Sequence, residues 1–354
     1  MDFNLTEDHQ MLSDTLTRYL AEQYQIEHRN SIAYDAPYHD PSKWTEMAEL
    51  GVFSALVDEA VGGFGGGGPD IAVVFEALGR ALNCEPALPL LMASRLLSAA
   101  GQDQAALLEG TERYAVAISE PDAPYDLVDI STTASDDHRL SGRKTSVYGG
   151  NIANHILVAA KAGDRLNLYQ VQATDAEIIS YGLIDGGGAA EVLLDNTKAN
   201  LLIENAQRAL QDALDAGIVA LCSEAVGMMD VTYQMTMEYL RQRKQFGRPI
   251  GTFQALQHRA VDMLTEIEQS RSITIKAASE LGEKSASRYA SMAKNMIGRS
   301  ARLVSEEAIQ MHGGIAMTWE YSVSHYAKRL VMLDHQLGDT DYHLNRIMAE
   351  MNET

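Results

Sequence analysis

The sequence predicts an α+β chain, mostly helical. It divides into a helical unit over residues 1–112, a small β-sheet unit over 113–204 and a helix bundle of four helices over 205–354. Three observations lead there. Apolar residues recur with a helical period up to about residue 112. Beyond it they alternate or cluster in short runs, separated by turn residues at 136–137, 149–150, 162–164 and 185–188. From Asn205 the helical period returns and persists.

Each element has a local reason. Thr6 can cap a first helix reaching about Glu27, with Glu7 and Asp8 in its favourable first turn. Met11, Leu12, Thr15, Leu16, Tyr19 and Leu20 form its stripe. Residues 30–41 read as loop, and Pro41 opens a short helix ended by Gly51. The run Val61-Gly-Gly-Phe-Gly-Gly-Gly-Gly68 is not followed by Lys-Ser or Lys-Thr and lacks the strand–glycine–helix frame. It therefore reads as a flexible or closely packed loop, not a phosphate cradle. Helices follow over 70–81, 88–100 and 103–109. Strands are expected over 114–119, 154–160, 166–171 and 190–194, with a polar turn over 137–144.

Composition narrows the function classes. The chain has 354 residues, enough for two or three packed units with a substantial core. A net charge of −21, with no basic block longer than 241–248, disfavours nucleic acid as a partner. Cys84 and Cys222 have no metal-ligand spacing, so no metal is expected and a reduced cytoplasm is the simplest compartment. The opening Met-Asp-Phe-Asn-Leu-Thr-Glu-Asp does not read as a leader. No apolar run approaches the ~20 residues that span a bilayer, so no membrane partner is expected.

The stretch from Arg241 to Gln257 organises the bundle. Before it, Val226, Met229, Val231, Met235, Tyr239 and Leu240 lie mostly on one face of a helix. Gly247, Pro249 and Gly251 interrupt that helix, and Thr252 is placed to cap the next, from Phe253 to Gln269. The corner thus carries cations, an aromatic ring and amides, a set suited to a planar, phosphate-bearing ligand. Arg243 can fork onto pyrophosphate, Phe246 can stack and Gln254 can hydrogen-bond.

The segment Arg243-Lys-Gln-Phe-Gly-Arg-Pro-Ile-Gly-Thr-Phe-Gln254 resembles the flavin-contacting segment of the acyl-CoA dehydrogenases. Glu307-Ala-Ile-Gln-Met-His-Gly-Gly-Ile-Ala-Met-Thr-Trp-Glu-Tyr321 is similar to the family's Gln-x-x-Gly-Gly-x-Gly pattern, with Ala316 at the final glycine. The order of helices, small sheet and helix bundle extends the resemblance over the whole chain. It implies FAD as cofactor and an acyl-CoA thioester as substrate, with a carboxylate removing one proton and the flavin taking a hydride. It also implies that Arg243, Phe246, Gln254, Gln310, Gly313 and Gly314 serve the flavin of a neighbouring subunit, and that an electron-transferring flavoprotein accepts the electrons.

Other family features are altered. Ser119-Glu120-Pro121 resembles the strand end beside the flavin ring, with Ser119 in place of a threonine. In Gly142-Arg-Lys-Thr-Ser-Val-Tyr148, Ser146 stands where the family has its ring-packing Trp and Tyr148 where it has a Thr. The family's base falls on Leu337 or, in its other location, on Gly217; neither can take a proton. Glu224 and Asp339 are the nearest substitutes, each also readable as an ordinary polar residue, and His312 reads as structural or as part of the flavin edge. The resemblance therefore implies a subunit of a bacterial heteromeric enzyme, two plus two, like those that shorten steroid side chains. Its catalytic partner would be a related chain. A self-sufficient homo-oligomer with an unusual base, and a non-catalytic binding scaffold, are the alternatives.

Overall fold

The computed structural model describes residues 5–353 of the chain. The first four residues of the opening stretch considered for a leader lie outside that range. Two compact units are present. One contains residues 5–29, 68–83 and 218–353; the other contains 30–67 and 84–217.

In the first unit, helix α1 (Glu7–Gln23) is capped by Thr6, which accepts a hydrogen bond from His9 N. It does not reach Glu27. Tyr24 leaves helical dihedrals, at φ −127° and ψ 49°, and buries its ring. A second helix, α2 (Ile26–Ala33), then occupies part of the expected loop.

In the second unit, Asp40 caps α3 (Pro41–Glu49), and Gly51 turns in the left-handed region before α4 (Val52–Ala55). The glycine run is closely packed. Phe64, Gly65 and Gly66 donate backbone hydrogen bonds to the carbonyls of Ser54, Val57 and Ala55. A Cβ on Gly63 would stand 1.9 Å from Val57 O, so the run is glycine because backbone meets backbone. Helices α6 (Ala87–Ala99) and α7 (Ala105–Leu108) follow in this unit, and α5 (Gly68–Arg80) belongs to the first, all near the expected positions.

The sheet of the second unit contains β1 (Tyr114–Ala117), β2 (Thr133–Ala134), β3 (Arg139–Tyr148), β4 (His155–Ala162), β5 (Arg165–Gln172), β6 (Glu177–Gly182), β7 (Gly188–Lys198) and β8 (Asn200–Ile203). The order is β6-β7-β3-β2-β4-β5-β8, with β1 parallel to β4. The polar turn expected over 137–144 is corrected here. Residues 139–148 form a long strand that buries Leu140, Lys144 and Val147 from one face. Its charged side chains obscured a period-two pattern. Strand β6 was also not anticipated, because its side chains are largely exposed.

Helix α8 (Gln207–Gln242) runs into the first unit, where α9 (Gln254–Ser279), α10 (Ala286–His312), α11 (Val323–Leu333) and α12 (Thr340–Glu353) complete the helical part. Helices α5 and α8 touch through their backbones. A Cβ on Gly79 would lie 2.1 Å from Glu224 O, and one on Gly227 the same distance from Glu76 O.

Candidate functional site

The corner after α8 is a small hairpin. Arg243 N still donates to Tyr239 O at 2.8 Å, and two short strands, β9 (Lys244–Gln245) and β10 (Arg248–Pro249), then pair. Phe246 and Gly247 form the tip, both left-handed at φ 51° and 78°, the dihedral signs that suit a two-residue hairpin. Ile250 N closes the ribbon on Arg243 O at 2.8 Å. The glycine signalled a chain reversal, but not that a ladder would form around it.

Thr252 is not the cap that the sequence suggested. Residues Ile250–Thr252 form a 3-10 turn, and the Thr252 hydroxyl donates to Pro249 O at 2.7 Å. The extended residue before α9 is Phe253, without a side-chain cap.

The polar side chains of this corner face outward. Phe246 is 90% exposed and meets Phe253 edge-on, at 6.1 Å between ring centroids. Arg248 lies over the Phe253 ring at 4.3 Å. Arg243 and Gln254 are exposed, and neither side chain makes a hydrogen bond or ion pair with the described residues. Gln310, exposed near the end of α10, is likewise unengaged. Gly313 has φ 70° and ψ −151°, and a Cβ on either Gly313 or Gly314 would meet nothing within 4 Å. These two positions are open, not packed against the chain itself. A free guanidinium, two free amides, a presented aromatic ring and an open glycine turn fit a dinucleotide bearing a pyrophosphate.

His312 lies between the two segments. Nδ1–H donates to Ala308 O at 2.8 Å, and the ring sits 4.6 Å from Tyr239 and 5.2 Å from Tyr321. Burial lowers its pKa, which keeps the ring neutral.

The two positions that the sequence suggested for the base carry no carboxylate. Gly217 is buried within α8. Leu337 lies in the turn between α11 and α12, left-handed at φ 54°. That turn is fixed through its main chain. Lys294 Nζ donates to Asp334 O at 2.9 Å and to Gly338 O at 2.7 Å. Asn295 donates to Thr340 O at 2.9 Å, and His343 Nε2 bonds to Leu337 O at 3.0 Å. Lys294 is fully buried, and burial pulls its pKa down to about 8. On α10, Gly298 leaves room for the turn, since a Cβ there would lie 2.1 Å from Asp334 Oδ1.

The two substitute acids have other partners. Glu224 is buried and accepts two hydrogen bonds from Arg329, at 2.7 and 2.9 Å. Asp339 accepts from Tyr342 N at 2.8 Å, capping the start of α12. Sequence reasoning passed over Asp215, a buried acid two residues before Gly217 that accepts from Gln211 at 2.8 Å. Its place inside an apolar helical run was the available signal.

In the sheet unit the two altered segments remain locked together. Glu120 is buried and accepts from Lys144 Nζ at 2.8 Å, from the Ser131 backbone at 2.7 Å and hydroxyl at 2.5 Å, and from the Thr132 backbone at 3.0 Å and hydroxyl at 2.5 Å. Lys144 Nζ also donates to Ile118 O at 3.1 Å. Lys144 and these other donors outweigh burial and hold Glu120 down at about 2. Ser119 O accepts from Thr145 N at 2.9 Å. Ser146 is exposed and left-handed at φ 51°, at a register shift between β3 and β7. Tyr148 lies at the end of β3 and is half-buried.

Among the described residues, no helix is long and apolar enough to cross a membrane. Two family models match the chain: the acyl-CoA dehydrogenase N-terminal domain over residues 6–105 and the C-terminal domain over 207–352. The acyl-CoA dehydrogenase IpdE2 of Mycobacterium tuberculosis is 31% identical over 330 residues, covering 91% of each chain. A solved Tcur3481–Tcur3483 steroid ACAD variant is 27% identical, with a TM-score of 0.90 over 98% of this chain and 99% of that one. The ChsE4–ChsE5 complex of Mycobacterium tuberculosis is 24% identical over the full length of both chains and has the same fold, with a TM-score of 0.92. The chain belongs to the acyl-CoA dehydrogenase family, FAD-dependent oxidoreductases that act on CH–CH bonds.

Proposed function

We propose that this chain is one subunit of a heteromeric FAD-dependent acyl-CoA dehydrogenase. The assembly introduces an α,β double bond into a bulky CoA thioester such as a steroid side chain. The chain supplies the cross-interface half of the FAD site to a related catalytic subunit, in a two-plus-two assembly that works in the cytoplasm and passes electrons to an electron-transferring flavoprotein. The carrying observation is a contrast: Arg243, Gln254 and Gln310 are exposed and unengaged, whereas both base slots lack a carboxylate. The steroid enzyme and the two-component complex among the similar structures support the reading.

FAD, when bound, accepts the hydride; this chain's residues hold and orient it. Arg243 would neutralise the pyrophosphate, Gln254 and Gln310 would offer it hydrogen bonds, Phe246 would stack, and Gly313 and Gly314 would allow close approach. The proton is taken by the partner's carboxylate.

The test is flavin retention in the co-purified assembly. Arg243→Ala should weaken it by roughly 10- to 100-fold, since a charge-assisted fork is worth about 1.5–3 kcal/mol. Unchanged retention would sink the assignment. Flavin content and native mass of the chain expressed alone separate the alternatives. One FAD per chain in a homo-oligomer would point to a self-sufficient enzyme, and no flavin in any assembly to a binding scaffold.

A further inference from the structure

We propose that His312 is a positioning residue that ties the two halves of this flavin-binding edge together through ring packing. The proposal rests on the reading that Arg243 and the Gly313–Gly314 turn grip one cofactor.

The two halves come from the ends of two different helices, α8 and α10. Arg243 leaves α8 one turn after Tyr239, its backbone N–H still bonded to Tyr239 O at 2.8 Å. Gly313 directly follows His312. The His312 ring lies against Tyr239, with centroids 4.6 Å apart and planes 31° apart, and is flanked by Tyr321 at 5.2 Å. A single ring contact therefore joins the helix end that presents Arg243 to the helix end that presents the open turn.

The ring's nitrogens do not explain its place. Nδ1–H is spent on Ala308 O, a bond within its own helix. Nε2 is buried against the Met235 backbone. What the ring does provide is a flat surface packed against Tyr239 and Tyr321. That packing fixes the residue from which the chain enters Gly313, where the backbone swings to φ 70° and ψ −151°.

The test compares two replacements in the co-purified assembly, stripped of flavin and titrated with FAD, with melting temperature followed alongside. His312→Leu removes the flat surface and should weaken FAD binding about tenfold, near the 1.4 kcal/mol that a tenfold change represents. His312→Phe keeps the surface and should bind FAD within about twofold of the parent, a difference of roughly 0.4 kcal/mol. Leucine binding as well as the parent would overturn the proposal. Phenylalanine failing as badly as leucine would overturn it too, by assigning the role to a nitrogen. If His312→Leu does not fold, Tyr239→Leu reads the same contact from the other helix and should show the same loss. Arg243→Ala serves as the reference. If it retains FAD, the underlying reading fails; if it loses FAD while His312→Leu does not, only the positioning role fails.

Discussion

The two regions that resemble flavin contacts are built in opposite ways. At Glu120 and Lys144, charged side chains are buried and bonded to each other and to the backbone of the same unit. At Arg243, Gln254 and Gln310, the polar groups are exposed and have no partner among the described residues. A satisfied buried pair specifies the chain's own backbone. Unspent polar groups held on fixed helix ends specify something outside it. Resemblance to a motif therefore does not by itself indicate a binding role: the first region keeps its framework while Ser146 and Tyr148 change what it presents.

The comparison is broken most forcefully at the buried pair. Lys144→Met leaves a buried carboxylate without its cation and should cost about 3–5 kcal/mol, read by denaturant or thermal melting of the assembly. A loss below about 1 kcal/mol would mean that the pair is not what fixes the two segments.

Acid should act on the same region. The folded value of Glu120, about 2, lies below its ordinary 4.5. Its contribution is therefore complete above 4.5 and is lost as the pH falls from 4.5 toward 2. Melting temperature should decline over that range, less steeply in a Glu120→Gln variant. Lys294 gives a slope of the same sign at high pH. Between about 8 and 10.5 the folded chain has released a proton that the unfolded chain keeps, so its contribution to stability rises with pH.

The exposed region should respond in binding alone. Phe246→Ala should shift stability by no more than about 0.5 kcal/mol, as surface changes usually do, while reducing FAD retention. A stability loss similar to that of the buried pair would erase the distinction. The smallest effect is expected for catalysis at the substitute acids. Asp339→Asn should leave turnover of the assembly within about twofold, because the amide oxygen can still cap α12.

Much of this was legible in the sequence. Helical periodicity and the break in it signalled helices on either side of a small sheet, and the cation-rich corner stood out against a strongly acidic chain. Other features were hidden for physical reasons. β3 reads as polar because its outward side chains are charged while Lys144 is buried beside Glu120, a pairing set by tertiary contact. The hairpin at Phe246 depends on two left-handed residues, and only one is a glycine. Thr252 has the chemistry of a cap, but the 3-10 turn before α9 takes its hydroxyl. The engagement of Glu224 by Arg329 joins residues over a hundred positions apart, which no local pattern records.

The turn around Leu337 has an evolutionary consequence. The bonds from Lys294, Asn295 and His343 all end on carbonyl oxygens, which every amino acid possesses. The shape of the turn is thus largely independent of the side chain at 337. The left-handed backbone penalises an ordinary residue there by only about 1–2 kcal/mol, and leucine already bears that penalty. A lineage can exchange a carboxylate for a hydrocarbon at this position, or reverse the exchange, without refolding the turn. On the proposed reading, division of labour between two subunits then needs no intermediate with a broken scaffold.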